Sequence, residues 1–376
     1  MSGGDRADEE GTTGVSRRRP EEHPERPAEE SGERPAAGAG SERDAEGGGL
    51  AARLGLHALD YPIPKAANRW TYMLGGLTAF FVVLLVLTGL YMAQFYEPSP
   101  AGAHDSVLYI VTRAPLGDWV RSLHWWSAGA VTVTVVAHLA YVFWRRSYRE
   151  PRELTWWAGV GMAALLFLLI VTGTVLRYDQ EGFEALAHFV AGGRLTGGAG
   201  AFFTEAFTRS TTLLSRLFSL HTSLLPVTLL GLMALHFWLI RHLGIHAEYG
   251  ETDLFRSHIV RLAGVSLLAL AGLGVLAVVA PEGLGYPPVA GVEVTKPFWP
   301  VLWVYGLEKL LGMWGMVIGP LVLFSYLLLL PLLDRGGDDR SGRHGWTGWI
   351  GVALGLGVLA LWLYGAFGPK QQHLGM

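Results

Sequence analysis

Seven stretches of the chain, roughly 70–96, 117–144, 155–178, 213–242, 259–280, 313–333 and 346–367, are long and apolar enough to cross a bilayer. A helix needs about 20 such residues to cross a bilayer. The pattern therefore predicts an all-α membrane protein of about seven transmembrane helices. Segments 50–66 and 300–311 mix apolar and polar positions and predict shorter amphipathic pieces lying at the interface. Trp119, Trp156, Trp157, Trp346 and Trp349 fall near span ends, as in an aromatic belt. Residues 1–49 are rich in Glu, Arg, Gly and Pro with almost no large apolar side chains, which predicts a disordered, solvated tail. The tail has no apolar run of the kind a secretory signal needs.

Basic residues set an expected orientation. Lys65 and Arg69 precede the first span, Arg145, Arg146, Arg149 and Arg152 join the second to the third, Arg241, Arg256 and Arg261 join the fourth to the fifth, and Arg335, Arg340 and Arg343 join the sixth to the seventh. All fall on one side if the N-terminus is cytoplasmic, in keeping with the positive-inside rule. Arg194, Arg209 and Arg216 between the third and fourth spans are a partial exception. The net charge of −3 is uninformative, but the basic residues are scattered or lie just outside the apolar spans, so no nucleic-acid footprint appears. With no cysteine, disulfides, thiolate metal sites and covalent c-type haem attachment are excluded on this chain, and histidine is left as the obvious iron ligand.

Four histidines stand out against the apolar background. His124 and His138 lie 14 residues apart on the second span, His221 and His236 15 apart on the fourth. At about 1.5 Å rise and about 100° per residue, either interval climbs roughly 21–22 Å and returns to nearly the same face. Two such helices running the same way would hold one imidazole pair near each membrane surface, His124 with His221 outside and His138 with His236 inside. Any one of the four can be a satisfied core histidine, but four ionisable groups at paired depths in hydrocarbon point to function. A haem between each pair suits neutral imidazoles.

Glycine spacing agrees. Gly75 and Gly89 on the first span, and Gly159 and Gly173 on the third, are each 14 apart, so each helix offers bare patches at the two haem depths. The alternative is ordinary small-residue packing between membrane helices. Arg121, Arg216 and Arg241 flank the histidines at one end or the other. They are candidates for pairing with haem propionates, with snorkelling to lipid headgroups the competing reading.

Together these residues make the chain resemble the cytochrome b/b6 family of quinol–cytochrome c and plastocyanin reductases. The carriers are Pro64 through Asn68 to Met73-Leu74-Gly75-Gly76, Thr88-Gly89, Arg121-Ser122-Leu123-His124, Pro151 through Trp156, Ser219-Leu220-His221-Thr222, Pro226, His236-Phe237 and Arg241. The match runs over about 50–335 and is most specific within 50–245. The resemblance implies a b6-like four-helix domain over 50–245, holding two haems b, fused to a three-helix domain like subunit IV over 246–376. It further implies quinone as substrate, a Rieske iron–sulfur protein and c-type cytochrome as partners, a homodimer within a larger complex, and electron flow between haems held by His124/His221 and His138/His236.

Three positions depart from the family pattern. Met73 stands where the b6 branch carries a cysteine that links an extra haem. Arg177 replaces a proline in the outer quinol-site run Gly173 to Gln180. The family's Pro-Glu-Trp-Tyr reads Pro297-Phe298-Trp299-Pro300, without its glutamate. Quinol oxidation releases protons, which a carboxylate must take; Glu293, Glu308 or Asp179 are candidate substitutes. Without one, the expectation is a non-bifurcating di-haem conduit to or from the quinone pool. A transporter or a haem-free anchor are the readings from other classes.

Overall fold

The computed structural model describes residues 59–247, 250–334 and 345–374. Among them are seven helices long and apolar enough to span a membrane. Two shorter helices lie between these spans on the side bearing His124 and His221, and a third comes after the loop that leaves the fifth span. In chain order the helices are α1 (Trp70–Ala93), α2 (Ala103–Thr112), α3 (Gly117–Trp144), α4 (Glu153–Leu176), α5 (Gln180–Leu195), α6 (Leu213–Leu243), α7 (Phe255–Val279), α8 (Leu302–Leu311), α9 (Met313–Leu333) and α10 (Trp346–Phe367). The spans are α1, α3, α4, α6, α7, α9 and α10, each within a few residues of its apolar run. The expected tail, Arg335, Arg340 and Arg343 lie outside the described residues.

The segment 50–66 is not an interfacial helix where it is described. Pro62–Pro64 forms strand β1, paired antiparallel with β2 (Thr252–Leu254), and a short 3₁₀ turn comes next over Lys65–Asn68. Pro62 and Pro64, two residues apart, lack the N–H groups that successive helical turns would use, which disfavours a helix there. The 300–311 segment does become a helix, α8, but Leu302, Trp303, Val304, Tyr305, Gly306 and Glu308 are buried. It packs between α9 and α10 instead of lying exposed at the interface.

Helix α1 packs along α3, and α4 along α6. At mid-depth Phe81 and Val82 of α1, Val131 of α3, Leu166 of α4 and Leu229 of α6 form one buried cluster. Val131 lies seven residues from both His124 and His138, so this apolar plug separates the two histidine levels. A buried carboxylate ties the four-helix part to the C-terminal spans. Asp334, at the end of α9, accepts from Tyr148 Oη (2.6 Å), from Arg149 Nε (3.0 Å) and Nη2 (2.8 Å), and from Thr347 Oγ1 (3.3 Å).

Candidate functional site

The two histidine intervals differ by one residue, and the backbone absorbs the difference. Fourteen residues of α-helix end about 40° short of a whole number of turns, and fifteen end about 60° past one. Helix α6 contains a single π turn at Leu220–Leu224, surrounding His221. A π turn takes up one additional residue. The longer interval on α6 therefore presents its histidines as the shorter interval on α3 does.

Side-chain partners fix the imidazoles. Thr88 Oγ1 donates to Leu84 O at 2.7 Å and lies 2.8 Å from His124 Nδ1. Having spent its proton on the carbonyl, the hydroxyl accepts from Nδ1–H. Thr172 repeats the device, donating to Leu168 O at 2.7 Å and lying 3.0 Å from His221 Nδ1. His236 Nδ1 lies 3.0 Å from Thr155 O, which can only accept. These three rings are thus held as Nδ1–H tautomers with Nε2 carrying a free lone pair, the arrangement that outer-shell partners impose on metal-binding histidines. His138 Nδ1 is buried with no hydrogen-bond partner.

The four glycines meet the four histidines one to one. A Cβ built on Gly173 would stand 2.9 Å from His221 Cε1, on Gly75 3.0 Å from His138 Cε1, on Gly89 3.4 Å from His124 Cε1, and on Gly159 3.6 Å from His236 Cε1. Each bare patch accommodates the neighbouring helix's imidazole, a different use from the close approach to a flat ligand that spacing suggested. Thr88 and Thr172 were not singled out in the sequence as ligand-positioning groups. The signal was the recurring Thr-Gly dipeptide, Thr88-Gly89 and Thr172-Gly173.

The rings of His124 and His221 have centroids 6.5 Å apart. Two imidazole–metal bonds of about 2 Å, with about 1.1 Å from ring centre to Nε2 on each side, require about 6.2 Å. The pair also lines an apolar cavity walled by Gly89, Gly173, Leu166, Leu169 and Phe218. Free Nε2 lone pairs, this separation and the apolar walls fit a bis-imidazole haem.

The arginines divide. Arg121 lines the cavity, its guanidinium donating to Glu282 O (2.5 Å) and Gly283 O (3.3 Å). Arg216 is turned to the backbone, donating to Phe202 O and to Thr204 O (2.8 Å), and stacks on Phe202 and Phe207. Arg241 lies over the Tyr61 ring at 3.9 Å.

The candidate substitute carboxylates lie elsewhere. Asp179 is fully buried and engaged, capping α5 through Gly182 N (3.1 Å) and accepting from Gly285 N (3.0 Å) and Arg177 Nη2 (2.8 Å). Glu293 and Glu308 do not line the cavity that holds His124 and Phe298. Glu282 does, and its carboxylate lies 3.0 Å from Arg177 Nη1. The same nitrogen lies 3.0 Å from Glu181. Burial pushes the Glu181 carboxyl up to about 7, with Arg177 opposing. Gln180 and Glu184 stitch the loop preceding Phe298 onto α5, Gln180 by accepting from Val289 N (2.7 Å) and Glu184 by accepting from Val294 N (2.8 Å) and Thr295 N (3.0 Å).

A family profile described as Cytochrome b/b6/petB matches residues 58–244. A cytochrome bc complex cytochrome b subunit from Chlorobaculum thiosulfatiphilum is 30% identical over 362 residues, covering 89% of this chain and 82% of the relative. Cytochrome b6 of Heliobacterium mobile is 33% identical over 190 residues, covering 50% of this chain and 89% of that one. Cytochrome b6 of Chlamydomonas reinhardtii is 36% identical over 187 residues, covering 49% and 86%. Among solved structures, a chain of a hyperthermophilic respiratory Complex III superposes with TM-score 0.71 at 21% identity, covering 88% of this chain and 93% of that one, which supports the fold. With seven apolar spans, a family profile over residues 58–244 and a relative 30% identical over 82% of its own length, the chain belongs to the cytochrome b/b6 family of membrane electron-transfer proteins.

Proposed function

We propose that the chain is the di-haem subunit of a bc-type quinol oxidoreductase complex, with His124 and His221 the axial ligands of an outer haem b and His138 and His236 those of an inner one. The observation that carries this reading is the set of fixed imidazole tautomers, with Nδ1 of His124, His221 and His236 each held by a threonine hydroxyl or carbonyl. When bound, the haems supply one-electron chemistry at two depths. Thr88, Thr172 and Thr155 orient the ligands, Gly75, Gly89, Gly159 and Gly173 make room for them, and the Phe81–Leu229 plug keeps water from the span between. Arg121 is the cation placed to meet a propionate at the outer level; Arg216 and Arg241 serve the ends of α6. Family membership removes the transporter and haem-free readings.

The N-terminus is cytoplasmic in this reading, and the partners are quinone, a Rieske protein or c-type cytochrome, lipid and a second copy of the chain. The division into a di-haem part over 50–245 and a three-helix part over 246–376 belongs to the same proposal. Oxidation of a quinol in the outer cavity needs a proton acceptor. Phe298 cannot serve, and Glu282 is the cavity's carboxylate. A second reading, a conduit without bifurcation, is favoured by Phe298 itself.

His124→Ala and His221→Ala should each remove the same haem from the purified protein and leave the other, read from the α-band of reduced-minus-oxidised spectra. Loss of different haems sinks the pairing. Glu282→Gln should abolish reduction by quinol while dithionite still reduces both haems; undiminished quinol reduction favours the conduit.

A further inference from the structure

Away from the haem cavity, four side chains from distant parts of the sequence converge in a buried cluster. His188 comes from α5, Glu293 from the loop after α7, Glu308 from α8 and His373 from the segment beyond α10. Their side chains are 19%, 5%, 4% and 4% exposed respectively. His188 Nδ1 lies 2.7 Å from Glu184 O, a pure acceptor, so Nδ1 carries the proton and Nε2 faces the carboxylates. That Nε2 is 3.3 Å from Glu308 Oε1 and 3.9 Å from Glu293 Oε1. His373 Nδ1 is 3.9 Å from each of the same two oxygens.

Such an arrangement is costly as it stands. Glu308 Oε1 and both ring nitrogens of His373 are buried without a hydrogen-bond partner. Two carboxylates out of water need positive charge close by. The lysines of the adjoining segments spend their ammonium groups on main-chain carbonyls: Lys296 on Ala366 and Gly368, Lys309 on Tyr364, and Lys370 on Val294. A dication at the centre would neutralise both carboxylates and use the unpartnered lone pairs. Ligand bonds of about 2.0–2.2 Å in a tetrahedron give edges of about 3.3–3.6 Å. The four histidine–carboxylate separations are 3.3–3.9 Å, and the donor atoms of His188, Glu308 and His373 all lie within 4.8 Å of one another, so the ligands surround a common centre and close inward on an ion placed there. Two imidazoles with two carboxylates suit a borderline ion of the zinc class better than magnesium or calcium, which prefer all-oxygen shells.

We propose that His188, Glu293, Glu308 and His373 form a closed, structural zinc-class site that fastens the C-terminal segment to α5 and α8. Glu293 already holds that segment, accepting from His373 N (2.9 Å) and Leu374 N (3.0 Å), and the ion completes the fastening from the side-chain side. Because α5 carries Gln180 and Glu184, which anchor the loop before Phe298, the same ion braces one wall of the haem cavity from behind.

The test uses the haem-loaded full-length protein, stripped with a chelator, reloaded with Zn²⁺ and freed of excess. Elemental analysis should then find about one zinc per chain, and zinc K-edge absorption should show an N/O shell with imidazole scattering. Glu308→Gln and His373→Gln should each lower retained zinc at least tenfold with haem absorbance unchanged, whereas His242→Gln on α6 should not. Wild-type protein that retains no zinc overturns the proposal and leaves protons as what neutralises the cluster. Zinc retained by both variants, or a shell without imidazole, overturns it too. If a variant loses its haem, the wild-type stoichiometry and absorption edge decide alone.

Discussion

Replacing Gly173 by alanine tests whether the glycines serve the haem ligands, and Gly159 supplies an internal control. Both sit on α4 against a histidine of α6, one at each level. At Gly173 the added methyl would lie 2.9 Å from His221 Cε1, where an ordinary carbon–carbon contact is about 3.5–4.0 Å. The ring must retreat by about 0.5 Å or more to restore that contact. It is not free to do so, since Nδ1 is held by Thr172 at 3.0 Å and, in the proposed ligation, Nε2 has to meet iron. Overpacking of this kind costs about 1–3 kcal/mol. With tenfold per 1.4 kcal/mol, haem retention at the outer pair should weaken by about 5- to 150-fold. At Gly159 the corresponding approach to His236 Cε1 is 3.6 Å, which needs no movement, and alanine in a helix interior gains about 0.5–1 kcal/mol over glycine. The assay is haem per chain by pyridine haemochrome, with redox titration to assign which haem is lost. Gly173→Ala should lose the outer haem and Gly159→Ala should keep both. Equal damage by the two substitutions, or an outer haem unaffected in Gly173→Ala, would refute the role given to the glycines.

Thr88→Val removes the acceptor for His124 Nδ1–H without changing side-chain volume, makes that imidazole a weaker base, and should raise the outer midpoint potential by about 40–60 mV while the inner one stays put; an unmoved outer potential contradicts the assigned tautomer. The Glu181 carboxyl, pushed by burial from 4.5 to about 7, binds its proton more tightly folded than unfolded, so its contribution is full below about pH 4.5 and is lost as pH rises to about 7. Wild-type stability should therefore fall across that window by on the order of 1–3 kcal/mol, read as a falling melting temperature, and Glu181→Gln should flatten the fall; parallel profiles would show that the carboxyl is not perturbed. Asp334→Asn leaves Tyr148, Arg146 and Arg149 around an uncharged amide and should cost about 3 kcal/mol, read as earlier thermal loss of the haem spectrum in detergent. No change would mean that the carboxylate does not hold the two parts of the chain together.

The sequence by itself determined the seven spans, because the length and apolarity of a membrane helix are local properties that hydrocarbon imposes residue by residue. It determined the two levels as well: rise along a helix is fixed, so intervals of 14 and 15 histidine positions and 14 glycine positions translate into depth. The short helices α2 and α5 escaped because they are too short and too mixed in character to stand out beside the spans. Tertiary structure alone decided what each group meets. The π turn that reconciles 14 with 15 depends on how α6 packs, and nothing in the local sequence announces it. Gly173 faces an imidazole, Arg216 turns to carbonyls 12 and 14 residues away, and Glu282 takes a place in the cavity that Asp179, locked into a helix cap, cannot. The cluster at 188, 293, 308 and 373 is the extreme case, since its side chains come from four segments whose approach only the folded chain can set. Depth is written along the chain; lateral neighbours, which fix tautomer, charge pairing and ligand geometry, come from how the helices pack.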